Sequence, residues 1–158
     1  MTMSDIKLPI LVEPHPWENF ESFMYRVVER NALRSVSEIF GALGVPYRKP
    51  LWANDHQQLS ASLCGGTISL AQIFPTGLDS KTVAIGQQLL KRRHITLTPS
   101  RICPHCVAER GYGKLDWNLA PLVVCGEHRT YLIDQCPCTA DSPLQSSRPG
   151  YASTTSRK

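Results

Sequence analysis

Cysteine is nearly absent from the first two thirds of this chain, where Cys64 is the single one before residue 103. That region has no disulfide framework to lean on and must fold around an apolar core. Long hydrophobic runs are missing as well. The longest early one, Leu8–Val12, is interrupted by Pro9. It offers neither a signal-peptide h-region nor a membrane span, which points to the cytoplasm. Nor is there charge of one dominant sign, since 17 Lys and Arg against 13 Asp and Glu leave +4 over 158 residues. Residues 1–50 carry six basic and six acidic side chains, residues 51–100 four and two, and residues 101–158 seven and five. No segment has the dense basic field of an autonomous, high-affinity DNA binder. Contact with nucleic acid is therefore expected to be weak, or to occur within a larger assembly.

The other five cysteines crowd between Cys103 and Cys138. Two pairs stand out, Cys103-Pro104-His105-Cys106 and Cys125-Gly126-Glu127-His128, each with two residues between its ligands and with eighteen, Val107–Val124, between the pairs. A two-residue spacer lets a tight turn aim both side chains at one ion, and two such turns supply the tetrahedral thiolate and imidazole set that zinc prefers. In a reducing compartment such clusters read as metal ligands and not as disulfides. Cys103, Cys106, Cys125 and His128 are thus expected to hold one zinc ion. Cys136-Pro137-Cys138 follows as a third cluster and a candidate for further metal ligation. Cys125 and His128 also resemble a nucleophile–base pair, but their ligand-like setting speaks against catalysis. Two closed knuckles fill all four positions, whereas catalytic zinc keeps one open. No catalytic residue is assigned.

Ahead of the cysteines the pattern is helical. Pro9, Pro14 and Pro16 keep residues 1–16 extended, and a helix is expected from near Trp17, with Phe20, Phe23, Met24, Val27 and Val28 on one face. Arg26, Arg30 and Arg34 fall at i+4 intervals on another. They form either a solvated surface partly paired with Glu29 or a stripe facing phosphate or a partner. Ser35-Val36-Ser37-Glu38 fits a capping box opening a second helix that ends at Gly44. The short turn between them gives a helix-turn-helix-like hairpin. After the loop Pro46–Trp52, a third helix capped at Asn54 or Asp55 should end at Gly65-Gly66, with Cys64 as a small core residue. Thr67 should cap a fourth over Ile68, Leu70, Ile73 and Phe74. A helical piece around Val83–Leu90 is expected to lead into Lys91-Arg92-Arg93-His94 and a β-like Ile95–Leu97. That basic run is either a phosphate contact or a solvated linker. Alternation in Leu115–Leu119 and Pro121–Val124 suggests strands feeding the second knuckle, as in a zinc ribbon, with Trp117 roofing the metal-bound core and Tyr131–Ile133 as a further strand.

The order Arg101-Ile102-Cys103-Pro104-His105-Cys106, Gly111-Tyr112, Trp117, Cys125-Gly126-Glu127-His128, Leu132, Cys136-Pro137 resembles the TniQ family of transposon target-selection proteins, which includes TnsD-like proteins. Pro14-His15-Pro16-Trp17-Glu18-Asn19-Phe20-Glu21-Ser22-Phe23, followed by Arg26 and Asn31, is similar to that family's opening helix, so the resemblance spans about residues 8–140. It implies a mainly α, helix-turn-helix-like domain over 1–97, a small zinc-ribbon-like α+β module over 98–140, a disordered tail over 141–158, and no catalysis. It further implies an adaptor that links a DNA-targeting factor or CRISPR effector to an AAA+ transposition regulator. The family's second zinc site is not carried over, because Cys136-Pro137-Cys138 is one residue tighter than the family's cluster and neither Cys nor His follows it. On that count the chain reads as a short or truncated member. The rival reading is a stand-alone zinc-containing transcription regulator that reads an operator through the Ser35–Leu43 helix.

Overall fold

Three residues later than the apolar spacing suggests, at Phe20, the first helix begins: α1 covers Phe20–Arg30. The computed structural model describes residues 8–46, 53–66, 70–85, 87–97 and 100–135. Expectations for the loop 47–52, for Thr67 and Ile68, for Cys136 and Cys138 and for the tail fall outside the described residues, as do those for the side chain of Asn54. The delay at α1 has a local cause. Trp17 takes a left-handed φ of 62°, so the helix waits for Asn19, whose side chain caps it by accepting the Ser22 N–H at 2.8 Å. Phe20, Phe23, Met24, Val27 and Val28 are all buried, as their spacing demands.

Asn31 closes α1 and does a second job. Its amide donates to the Ile10 carbonyl and accepts the Ile10 N–H, both at 2.9 Å, which pins the extended N-terminal segment against the helix end. Helix α2, Val36–Leu43, opens on the expected cap: Ser35 Oγ accepts the Glu38 N–H at 3.3 Å. The reciprocal bond is displaced by one residue, because Glu38 Oε2 accepts from the N–H of Arg34 at 2.9 Å. Gly44 ends α2 in the left-handed conformation. Helix α3 runs Ala53–Cys64, already helical at Ala53, ahead of the expected cap at 54 or 55. Leu59, Leu63 and Cys64 complete the helical core with Ile39, Phe40, Leu70 and Phe74, and the Phe20 and Phe74 rings meet at 4.1 Å between centroids. Cys64 is a core residue as expected, its thiol pushed up to about 11 by burial and by Glu13.

Two expected helices are not there. The fourth reduces, among the described residues, to a 3-10 turn over Leu70–Gln72, which still buries Leu70, Ile73 and Phe74. Around Val83–Leu90 the chain forms strands instead: β1 (Thr76–Gly77), β2 (Thr82–Ile85) and β3 (Gln88–Lys91) make an antiparallel sheet in that order. Asp79 Oδ1 accepts the N–H groups of Lys81 and Thr82 at 2.6 and 2.8 Å and starts β2. The apolar residues that imitate a helical face do not share one, since Val83 is fully buried and Leu89 is 68% exposed. Thr82, Val83 and Ile85 are β-branched, and that composition was the better signal.

A second, smaller buried cluster holds Cys103, Cys106, Cys125 and Trp117, flanked by Ile102, Val107, Leu122 and Leu132. It is sewn to the helical part along two lines. The Asn19 N–H reaches the Gly113 carbonyl at 2.8 Å, the Gly113 N–H reaches Ser22 Oγ at 2.9 Å, and the Leu115 N–H reaches the Trp17 carbonyl at 2.7 Å. The second line joins Thr96 to Asn118 and Ala120 to His94 by backbone bonds of 2.7 and 2.8 Å. No helix among the described residues is long and apolar enough to cross a membrane.

Candidate metal centre

The first ligand pair is set by a helix start. Helix α4, Pro104–Arg110, takes Cys103 as its N-cap and Pro104 as its first residue, where the missing N–H costs nothing. Cys106 then lies one turn along, on the same side as Cys103, and both are fully buried. Gly111, at φ 75°, ends α4 after two turns; a side chain there would strain the left-handed backbone that turns the chain back toward α1.

The second pair is set by a tight loop. The Cys125 N–H donates to the Thr130 carbonyl and the Arg129 N–H to the Cys125 carbonyl, each at 2.8 Å, with Val124 bridged to Tyr131. Arg129 is held at φ 54° to close that loop. Paired backbone bonds between Ile102 and Ile133, 2.8 and 2.9 Å, clamp the two knuckles together. Trp117, 1% exposed, roofs the cluster as expected. The strand expected at Leu115–Leu119 is instead a 3-10 turn over Leu115–Asn118. Leu115, Trp117 and Asn118 are all buried in it, with Trp117 in the cysteine cluster, and Arg101 holds the turn by donating to the carbonyls of Trp117 and Leu119 at 3.0 and 2.6 Å. The strands expected at Pro121–Val124 and Tyr131–Ile133 survive only as single bridges, at Val124, Tyr131 and Ile133.

All four donor atoms, Sγ of Cys103, Cys106 and Cys125 with an imidazole nitrogen of His128, lie within 4.8 Å of one another. Cys106 and Cys125 Sγ are 3.6 Å apart, and His128 Nδ1 stands 3.6, 3.2 and 3.8 Å from Cys103, Cys106 and Cys125. A tetrahedral ion at about 2.3 Å from sulfur and about 2.05 Å from nitrogen requires S···S near 3.75 Å and S···N near 3.55 Å. The separations fit a closed four-donor site. His128 presents Nδ1 inward because its Nε2 is engaged by Glu109 Oε1 at 3.0 Å, a carboxylate–histidine pairing that orients the ring.

Charge is arranged to match. Hydrogen bonds to Cys125 and then Glu109 push the His128 ring up to about 9. Burial would raise the Cys125 thiol, but hydrogen bonds from the backbone and ring of His128 prevail and bring it down to about 6. Cys106 is pushed up to about 12 by burial and by its two thiol neighbours. Metal entry must therefore displace the protons of Cys106 and of the His128 ring. Three thiolates and one imidazole around a divalent ion leave one net negative charge, and two cations lie alongside. Arg110 and Lys114 both grip Glu127, whose carboxyl they hold down to about 2, and Glu127 Oε2 is 3.7 Å from Cys106 Sγ. Glu109, Arg110 and Lys114 carry no motif, and Arg101 and Glu127, though they stand in the cysteine motifs, were given no role by the sequence.

The basic residues singled out in the sequence lie elsewhere. Arg26 turns inward: its guanidinium meets the buried carboxylate of Glu18 with two bonds, 2.9 and 2.5 Å, and donates to the Glu13 carbonyl at 2.8 Å. Arg30 and Arg34 are exposed, so the three arginines do not form one continuous stripe. Lys91 ends β3 while Arg92 and Arg93 begin a 3-10 turn, all three exposed.

A helical N-terminal part carrying a C-terminal Cys3His cluster defines the class: a small α+β protein with a potential metal site. The sequence model of the TniQ family matches residues 9–132, and the chain belongs to that family. The family is associated with DNA transposition and is non-catalytic. No curated protein matches this chain.

Proposed function

We propose that this chain is a non-enzymatic adaptor in DNA transposition target selection, acting in the cytoplasm and held in shape by one structural zinc ion. The observation that carries the reading is the match over residues 9–132 combined with a donor set already complete at four. Zinc would be held by Cys103, Cys106, Cys125 and His128, and when bound it supplies folding free energy to a module whose core is too small to stand alone. With three of its ligands buried, the centre orders the loops around it and presents no open coordination position to a substrate. The α1–α2 hairpin is the helix-turn-helix-like element of this reading, and residues 1–97 and 98–140 are its two working parts.

The partners on this reading are an AAA+ transposition regulator on one side and a DNA-targeting factor or CRISPR effector on the other. Surface features support docking over site reading. Trp17 is 74% exposed on a left-handed backbone, with Leu11 also exposed nearby in the chain and His15 stacked on Tyr112 at 4.6 Å. Exposed tryptophan is a frequent anchor of protein interfaces. The test is co-purification of the metal-loaded chain with its cognate AAA+ ATPase, with Trp17→Ala alongside. Association that weakens with Trp17→Ala is expected. Failure to associate with the ATPase or with a targeting factor, while the chain alone binds one duplex sequence tightly, overturns the adaptor reading.

A further inference from the structure

Register gives the β2–β3 hairpin one charged face. Thr82 pairs with Lys91 and Ala84 with Leu89, while Val83 between them is fully buried. Alternate residues of a strand leave opposite faces, so Thr82 and Lys91 stand on the solvent side. The Arg92 N–H donates to the Lys81 carbonyl at 2.7 Å and draws the β1–β2 turn against the end of β3. Ser80, Lys81, Thr82, Lys91, Arg92 and Arg93 thereby line one open concavity of about 680 Å³. Lys81 stands ten positions before Lys91 and belongs to no basic run in the sequence; only the hairpin enlists it.

Among the described residues, this lining holds four cations, two hydroxyls and no carboxylate. Asp79, just before it in the chain, directs Oδ1 to the N–H groups of its own turn. Lysine, arginine and hydroxyl donors are the groups that grip phosphate oxygens, arginine through its planar fork. An open hollow with several cations suits a chain of phosphates, which carries a charge every ~3.4 Å of rise per strand. We propose that this concavity binds the phosphodiester backbone of a nucleic acid, with Lys81, Lys91, Arg92 and Arg93 as its phosphate contacts. The assignment keeps the expected Lys91-Arg92-Arg93 run, adds Lys81 to it and sets the α1 arginines aside, and it does not depend on the AAA+ partner.

The experiment is fluorescence anisotropy of the full, zinc-loaded chain with labelled duplex DNA and with duplex RNA of the same sequence. Four phosphate contacts predict a slope of log affinity against log salt near −3.6 on DNA, about a 10²-fold loss between roughly 50 and 200 mM salt. The variant K81Q/K91Q/R92Q/R93Q should abolish most of that slope, and Lys81→Gln alone should lower it by about 0.9. R30Q/R34Q, which touches the α1 end instead, should leave it unchanged. Zinc content together with a thermal unfolding transition and circular dichroism equal to wild type certifies that each variant is folded. Binding to either duplex on these terms supports the assignment, and a preference between them says which nucleic acid is the source. A quadruple variant that keeps the wild-type affinity and slope overturns it. So does a slope removed by R30Q/R34Q, or binding to phosphatidylserine vesicles with neither duplex bound.

Discussion

Gly113→Ala should destabilise the whole protein, although Gly113 is neither a metal ligand nor part of a helix or strand. A Cβ there would sit 2.8 Å from Asn19 Nδ2 and 3.4 Å from Asn19 Cγ. A long exposed side chain would swing aside, but Asn19 has no such freedom. It is buried, its Oδ1 caps α1 through the Ser22 N–H, and its Nδ2 donates to the Lys114 carbonyl at 3.3 Å. Moving it forfeits an N-cap, worth about 1 kcal/mol. It also strains two seam bonds, Asn19 N–H to the Gly113 carbonyl and Gly113 N–H to Ser22 Oγ, each worth about 1 kcal/mol. The expected loss is about 2–4 kcal/mol, or a melting temperature lower by about 4–16 °C for a chain of this size. Thermal and urea unfolding of metal-loaded wild type and variant measure it. Asn19→Ser, which keeps a capping oxygen on a shorter side chain, should recover part of the loss in the Gly113→Ala background but cost stability in the wild type, where it gives up the bond to the Lys114 carbonyl, a coupling a double-mutant cycle reads directly. A Gly113→Ala protein within about 0.5 kcal/mol of wild type, the ordinary range for a surface change, would refute the claim that this seam is tightly packed.

Two further outcomes are expected. Elemental analysis of protein purified without added metal should give one zinc per chain, and Cys106→Ser should bring the ratio near zero, unfold residues from about 100 onward and leave helical signal from α2 and α3. Through the seam, amide exchange in the first turn of α1 should quicken as well. His56 sets an acid limit: burial lowers its pKa to about 4, offset only in part by Asp55 and by the Pro75 carbonyl, and among the described residues its ring nitrogens have no partner in good hydrogen-bond geometry. Above about pH 7.5, one unit over the unfolded value of about 6.5, the ring is neutral folded or unfolded and contributes little pH dependence. As pH falls toward about 4 the unfolded chain takes up a proton that the folded chain resists, so stability should drop by up to about 3 kcal/mol. His56→Leu should flatten that part of the stability–pH curve in urea titrations, and an unchanged slope would count against the buried, neutral ring.

What could be read from the residues alone was whatever depends on near neighbours. Two-residue spacers place Cys103 beside Cys106 and Cys125 beside His128 because a turn or a helix start carries residues three apart to one side. The apolar face of α1 and the Ser35–Gly44 bounds of α2 follow from the same short-range geometry. Tertiary structure decided everything whose partners are distant. Only packing shows that Gly113 meets Ser22 across 91 residues, that Glu18 turns Arg26 away from solvent, and that Glu109 aims His128. Residues 82–91 show why: their apolar side chains fit a helix as well as a hairpin, and locally only the β-branched Thr82, Val83 and Ile85 lean toward the second. The choice falls to burial, because one face must cover the core with Val83 while the other carries Lys91 to the charge of Lys81, and the fold sets both.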